Sequence, residues 1–304
     1  MIEPVGQVWL DGKVVDAEDS RVGLLTHSLH YGFGALDGFR SYRQDGGGVA
    51  AFRLADHLAR LRSSASAIGL ELGHTHGDLV EGACDVLRTN GLDDAYVRPL
   101  VFVGEPNIIF AHWLNPVHVA LVPFAWSGYS DRDADAGTTA QVSPYPRPKA
   151  HAALYNAKLT GNYLLSVIAF GHARSSGVQQ AIFLDEDGFV CESTGENLFA
   201  VHGNLVSTPP ATRSLLPGLT RATVLVLAAE LGYEVAERDL TVPQLHDADE
   251  VFTTGTASGV LAIPELDGRR IGDGTAPVAR ALRQRYLDAA RGRLPEHADW
   301  LTIL

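Results

Sequence analysis

The stretch Tyr155-Asn156-Ala157-Lys158-Leu159-Thr160-Gly161-Asn162-Tyr163-Leu164-Leu165-Ser166 places a lysine at the entrance to an apolar helix. Helical spacing runs from Asn162 to Ser175 and ends before Gly177. A charged amine there has no obvious solvent-facing purpose, although by itself it could be an ordinary solvated side chain lying along its own stem. Composition sharpens the question. Of 24 basic residues only Lys13, Lys149 and Lys158 are lysine. Chemistry that needs a primary amine cannot use arginine, whose guanidinium stays protonated and forms no imines, whereas a lysine can be desolvated to a usable pKa.

Downstream of this segment, three hairpin turns are expected at Asp187-Gly188, Gly195 and Gly203-Asn204. Between the first two, Glu192 and Glu196 flank Ser193-Thr194-Gly195 at the end of a strand expected at Phe189 to Cys191. A carboxylate opposite a pyridine nitrogen would keep that nitrogen protonated and make the ring an electron sink, and a solvated turn carboxylate is the other reading. Pro217-Gly218-Leu219-Thr220-Arg221 precedes a helix expected from Thr220 to Leu231. The amides of Leu219 and Thr220 would point out of its positive end and suit a phosphate, or Thr220 merely caps its own helix. Thr254-Gly255-Thr256-Ala257 is a second small-residue loop of the same kind, and a last helix begins after Pro277.

Upstream, Val8-Trp9-Leu10, Asp11-Gly12 and Lys13-Val14-Val15 form a hairpin pattern, and Phe39 to Tyr42 with Val49 to Phe52 form another around Gly46 to Gly48. Leu54, Leu58, Leu61, Ala65 and Ile68 share one helical face. A second helix is expected from about Asp78 to Arg88, stopped by Asn90-Gly91, and Ala95 to Gly104 and Val117 to Phe124 follow as strands. Tyr96 and Arg98, two apart in a strand, project from one face. They could orient a carboxylate, because arginine offers a planar fork of donors, or form an ordinary surface ladder. The polar, aperiodic run between Trp126 and Gly137 is the candidate interdomain linker. This divides the chain into an N-terminal α+β domain at 1–125, a linker at 126–136 and a larger domain at 137–304.

At 304 residues, with 46% hydrophobic and 20% charged residues and a mean hydropathy near zero, the chain has a real core to bury. A net charge of -12 with scattered arginines argues against nucleic acid as a partner. No run approaches the ~18 apolar residues of a membrane helix, the first ten residues lack a signal-peptide pattern, and a cytoplasmic location is the default. Cys84 and Cys191 are in no metal-ligand spacing and are expected as buried small residues, and no metal is assigned.

Taken in order, several segments resemble the branched-chain amino-acid aminotransferase family, fold-type IV pyridoxal-phosphate enzymes, through almost the whole chain. They are Ser28-Leu29-His30-Tyr31-Gly32, Asp37-Gly38-Phe39-Arg40, Tyr96-Val97-Arg98-Pro99-Leu100, Trp126 with Tyr129, Lys158 with Gly161-Asn162-Tyr163-Leu164, Glu192 to Phe199, Leu216 to Arg221 and Gly255-Thr256-Ala257. The resemblance implies a two-domain α+β / α/β fold, with pyridoxal 5'-phosphate between the smaller N-terminal domain and the larger C-terminal one. It implies that Lys158 is the Schiff-base lysine, that Glu192 partners the pyridine nitrogen, and that Tyr163 bonds the ring hydroxyl. It further implies that Arg60, Leu219, Thr220 and Thr256 hold the phosphate, and that Tyr31, Leu36, Gly38, Tyr96, Arg98, Trp126, Tyr129 and Ala257 line the substrate pocket.

The implied reaction moves an amino group between branched-chain or related hydrophobic L-amino acids and 2-oxoglutarate, in a homodimer or higher homo-oligomer. His27 and His30 would then be packing residues near the dimer interface. Two departures bear on substrate. Leu36-Asp37-Gly38 stands where the family usually has Phe-Glu-Gly, which predicts a roomier side-chain pocket. The loop Glu105 to Trp113, expected to reach the partner subunit's site, lacks the family's glycine-rich stretch. A lyase of the same fold, such as aminodeoxychorismate lyase, would use the same lysine and glutamate, but Tyr96-Val97-Arg98 and Tyr163 favour transamination. A D-amino-acid aminotransferase would call for a histidine two residues after the strand arginine, and position 100 is Leu.

Overall fold

A computed structural model describes residues 3–126, 136–149 and 154–304. The chain divides into two compact units, one of Met1–Ser127, Ala157–Asn162 and Asp288–Leu304, the other of Gly128–Asn156 and Tyr163–Leu287.

The first unit is built on an antiparallel sheet. Strands β1 (Gln7–Leu10) and β2 (Lys13–Asp16) form the expected hairpin. Asp11 (φ 47°) and Gly12 (φ 90°) supply the left-handed turn that matches strand twist. After a short helix α1 (His27–Tyr31) come β3 (Gly34–Leu36), β4 (Phe39–Arg43) and β5 (Val49–Phe52). Helix α2 (Leu54–Ser66) buries Leu54, Leu58, Leu61 and Ala65 on the anticipated stripe. It stops short of Ile68, because Gly69 takes a φ of 75° and turns the chain away. Helix α3 (His76–Thr89) begins two residues earlier than its apolar pattern suggests. Thr75 accepts from Asp78 N, and the Asp78 carboxylate accepts from Thr75 N, which closes a capping box. Gly82 lets α3 approach the sheet, for a Cβ there would sit 2.4 Å from Trp9 Nε1.

Long strands β6 (Ala95–Val103) and β7 (Val117–Ala125) pair through nine residues and form the sheet's centre. Sheet order runs from the C-terminal strand Leu301–Ile303 through β5, β4, β6, β7 and β1 to β2, with β3 on β6 beyond the end of β4. Residues Ala95, Val97, Val101 and Val103 of β6 are buried, and the alternate positions carry Tyr96, Arg98, Leu100 and Phe102 on the opposite face.

The second unit holds a mixed sheet. Strand β8 (Thr139–Val142) runs parallel to β9 (Gln180–Leu184), with α4 (Tyr163–Ser175) between them in sequence. Strands β10 (Val190–Ser193), β11 (Asn197–His202) and β12 (Leu205–Thr208) follow as hairpins. Helix α5 (Leu219–Glu230) then carries the chain to β13 (Glu234–Glu237), parallel to β12. Strand β14 (Glu250–Gly255) lies antiparallel on both β11 and β15 (Gly259–Ala262). Ile182, Val190, Leu198, Leu245 and Val251 form one core cluster, and Ala169, Phe183, Cys191 and Leu215 another. Both cysteines are buried and unpaired.

Phe199 and Phe252 face each other across β11 and β14 with centroids 4.9 Å apart and planes 4° from parallel, both fully buried. Phe252→Ala is expected to lower stability by about 3–5 kcal/mol, as for a large aromatic removed from a packed core. A urea denaturation curve measures the loss.

Candidate active site

Lys158 is held by its own backbone. Its carbonyl accepts from Leu36 N (3.0 Å) at the end of β3, and its amide donates to Ser64 Oγ (2.9 Å) on α2. Leu159 bridges antiparallel to Ala35, and the backbones of Gly32 and Gly161 approach so closely that a Cβ on Gly32 would meet Gly161 Cα at 2.9 Å. Burial lowers the pKa of the Lys158 amine. The Arg60 guanidinium lowers it further, Asp37 and Tyr96 oppose the fall, and Arg98 adds to it. Such an amine spends more of its time as a neutral nucleophile than an exposed lysine does.

Arg60 projects from α2 onto Asp37, the residue after β3. Its Nε and Nη2 each donate at 2.8 Å to the two carboxylate oxygens. The same carboxylate accepts from His57 Nδ1 (2.8 Å) and from Gly38 N (2.7 Å). Asp37 is wholly buried. Burial alone would raise its pKa, but the Arg60 charge and the bonds from His57 and Arg60 hold the carboxyl far below the usual range. Burial likewise drives His57 below its ordinary value, against the pull of Asp37, so the ring is neutral near pH 7.

Tyr96, Arg98 and Trp126 converge in the same unit. Arg98 Nε donates to Tyr96 Oη at 3.1 Å, and the Tyr96 and Trp126 rings meet edge-on at 5.8 Å. Gly38 is required where it stands, because a Cβ would lie 1.9 Å from Tyr96 Oη. Leu36 is buried. A second cation shares this wall. Arg40 pairs in register with Tyr96, is buried, lies over the Tyr42 and Trp126 rings, and among the described residues its Nε has no hydrogen-bond partner. Tyr31 is placed apart from these contacts, on α1. It is exposed, donates to the Ile108 carbonyl and packs its ring on Phe110. His27 is buried against Asn107 and Asn115, whereas His30 is exposed with a ring nitrogen on Leu24 O. Tyr129 and most of the 126–136 segment lie outside the described residues.

In the second unit, Glu192 lies one residue before the end of β10, opposite Asn197. One carboxylate oxygen pairs with Arg147 Nη2 at 2.9 Å, both side chains being nearly buried, and the other accepts from Leu216 N at 3.1 Å. Arg147 is stacked 4.3 Å over the Phe183 ring. Asn197 Nδ2 reaches Leu216 O (2.8 Å) and ties β11 to the segment before α5. Leu219 and Thr220 form the first turn of α5, whose N-cap is Gly218 and has no capping side chain. Thr256 and Ala257 lie in the turn between β14 and β15. The neighbouring hydroxyls of Thr254 and Ser258 are buried without a hydrogen-bond partner among the described residues. Tyr163 opens α4 and is half-buried.

Each unit by itself carries groups of the kinds that pyridoxal phosphate calls for. The first has a buried amine of lowered basicity and an arginine fixed on Asp37. The second has a carboxylate anchored by Arg147, of the type that pairs with a protonated pyridine, and a helix N-terminus and small-residue turn with orphaned hydroxyls, of the type that takes an anion. Spacing does not single out Asp37, His57, Arg40, Arg147 or Asn197. Asp37, Arg40 and Asn197 do lie inside the quoted motifs, which is the available signal.

The chain belongs to the class IV aminotransferases, whose family model, Amino-transferase class IV, matches residues 34–266. Within that family its similarity is to branched-chain enzymes. It is 36% identical to the branched-chain-amino-acid aminotransferase of Pseudomonas aeruginosa, covering 100% of this chain and 99% of that one. The T.th. branched-chain amino acid aminotransferase with pyridoxamine 5'-phosphate superimposes with a TM-score of 0.95 at 37% identity, covering 100% and 99%. The same enzyme complexed with N-(5'-phosphopyridoxyl)-L-glutamate gives 0.93, with the same identity and coverage.

His57 makes stability depend on pH. Its pKa is depressed on folding, so the folded state binds fewer protons than the unfolded one. The contribution of the neutral ring is therefore complete above about pH 6.5 and is lost as pH falls toward the lower folded value. Urea midpoints measured from pH 8 to pH 5 should decline below about 6.5, and His57→Gln should flatten that part of the profile.

Proposed function

We propose that the protein is a pyridoxal-phosphate-dependent aminotransferase that moves the amino group of branched-chain or related hydrophobic L-amino acids to 2-oxoglutarate in the cytoplasm. The observation that carries this reading is the amine of Lys158, depressed in basicity and pinned through its backbone on both sides, in a chain of class IV aminotransferases. When bound, pyridoxal phosphate supplies a carbonyl that accepts the amino group and a ring that draws electrons from the substrate α carbon.

Lys158 Nζ would hold the cofactor and, as the nearby base, would take and return the α proton of the substrate. Glu192 would keep a proton on the pyridine nitrogen, and Arg147 with Leu216 N keeps that carboxylate in place. Tyr163 would bond the ring hydroxyl, and Arg60, the Leu219 and Thr220 amides and the Thr256 hydroxyl would bind the phosphate. Arg98, steadied by Tyr96, would take the γ-carboxylate of glutamate or 2-oxoglutarate. Leu36, Gly38 and Trp126 would line the substrate side-chain wall of the first unit, and Ala257, Tyr31 and Tyr129 keep the pocket roles that the resemblance implies. An aliphatic Leu36 leaves room for donors bulkier than valine.

A homodimer belongs to the same reading. Leu24, Leu29, Phe110 and Trp113 are between 66% and 81% exposed, a set of apolar side chains that a monomer in water has no reason to display. Among the described residues no helix is long and apolar enough to cross a membrane.

Borohydride treatment of the loaded enzyme should fix the cofactor on the peptide containing Lys158. Recovery on Lys13 or Lys149 would sink the assignment. The wild type should react with both L-glutamate and L-leucine in single turnovers followed by cofactor absorbance. Arg98→Ala should weaken the glutamate and 2-oxoglutarate half-reaction by about 2 kcal/mol, the scale of a lost charge-assisted contact, while leaving leucine largely intact.

A further inference from the structure

Asp37 is a junction. Its amide donates to Pro99 O on β6, and its carboxylate receives Gly38 N, His57 Nδ1 and both Nε and Nη2 of Arg60. The preceding residue, Leu36, donates to Lys158 O, and the following one, Gly38, stands against Tyr96 Oη. A carboxylate with no solvent contact is strongly disfavoured unless paired, and a purely structural tie at this point could be made as well by apolar side chains. What apolar side chains could not provide is charge. The Arg60 charge acts against the ammonium form of Lys158, and Asp37, one residue after the Leu36 that bonds the Lys158 carbonyl, meets that charge through two parallel hydrogen bonds.

We propose that Asp37 is a positioning residue of the active site: its buried carboxylate clamps the Arg60 guanidinium and sets how strongly that charge acts on Lys158 Nζ. The inference rests on the roles proposed for Lys158 and Arg60. The groups that act on the amine within this unit are Arg60 and His57 on α2, Asp37 after β3, and Tyr96 and Arg98 on β6. His57 braces one carboxylate oxygen as a neutral donor, so the cluster of Asp37, His57 and Arg60 carries no net charge. Removing the anion alone removes both the carboxylate that offsets the Arg60 charge and its own attraction for the ammonium, so the ammonium form of Lys158 is disfavoured. Removing Arg60 alone does the reverse. A general loosening of the fold would not move the two variants in opposite directions.

The test uses the full chain stripped of cofactor, reductively methylated with formaldehyde and cyanoborohydride across a pH series and read by peptide mass spectrometry. Only three lysines are present, and exposed Lys13 and Lys149 serve as internal references. Relative to wild type, the Lys158 midpoint in Asp37→Asn should move to lower pH by about 1, in Arg60→Met to higher pH, and in Asp37→Glu by little, since the charge is restored. Pyridoxal phosphate titrated into the same proteins should bind Asp37→Asn about tenfold more weakly, with Asp37→Glu recovering most of the loss.

An unmoved midpoint in Asp37→Asn, a shift in the same direction as Arg60→Met, or unchanged affinity overturns the proposal. Should Asp37→Asn not fold, the Asp37→Asn/Arg60→Met pair, which removes both charges, carries the test. Its midpoint must return toward wild type, and a midpoint equal to that of Arg60→Met alone overturns the proposal. Borohydride fixation of the cofactor at Lys158 with no response at Asp37 defeats this inference alone, whereas fixation elsewhere defeats the functional reading beneath it.

Discussion

Two backbone hydrogen bonds, Leu36 N to Lys158 O and Lys158 N to Ser64 Oγ, hold the lysine proposed to carry the cofactor, and much of the first unit is arranged around making them. Strand β3 is only three residues long, yet it pairs with β6 through Gly34, Ala35 and Leu36 and delivers Leu36 to the lysine. Helix α2 buries its apolar stripe so that Ser64, Arg60 and His57 face the same place. Because the tether is main-chain, the flexible part of Lys158 is confined to its side chain. An amine that must reach a reacting atom gains from a fixed root and a mobile tip.

The electrostatics follow from the same arrangement. The first unit concentrates cations, with Arg40 and Arg98 beside Tyr96 and Arg60 on the buried anion Asp37. The second unit shows the opposite pattern. There Glu192 is one of the buried carboxylates, and Arg147 and the Leu216 amide occupy its two oxygens. Asp37 and Glu192 are thus each poised by one close opposite charge and by hydrogen bonds, rather than by solvent, and such groups respond steeply when a partner is removed.

Much of this is legible in the sequence. The Asp11-Gly12 hairpin, the α2 stripe from Leu54 to Ala65 and the same-face pair Tyr96 and Arg98 are local patterns, and local geometry produces them. The start of α3 departs from its apolar pattern because that period begins after the capping box that Thr75 makes with Asp78. The Asp37 cluster is not legible. Its partners are 20 and 23 residues away on another element, and no periodicity relates a residue after a strand to two on the helix it faces. Arg40 escapes for a similar reason, since its place beside Tyr96 comes from the register of β4 on β6. Motif resemblance covers the groups expected to touch the cofactor, while the residues that hold those groups emerge only from packing.

The first unit is assembled from three separated pieces of chain, the last being Asp288–Leu304, whose strand Leu301–Ile303 pairs with β5. The strand that covers β5 follows every other strand of this sheet in the chain. Until it is made, the nascent protein carries an uncovered, apolar strand edge at Val49–Phe52. Sheet closure must therefore wait for Leu301–Ile303 to leave the ribosome, and in that interval the edge is open to mispairing with its neighbours.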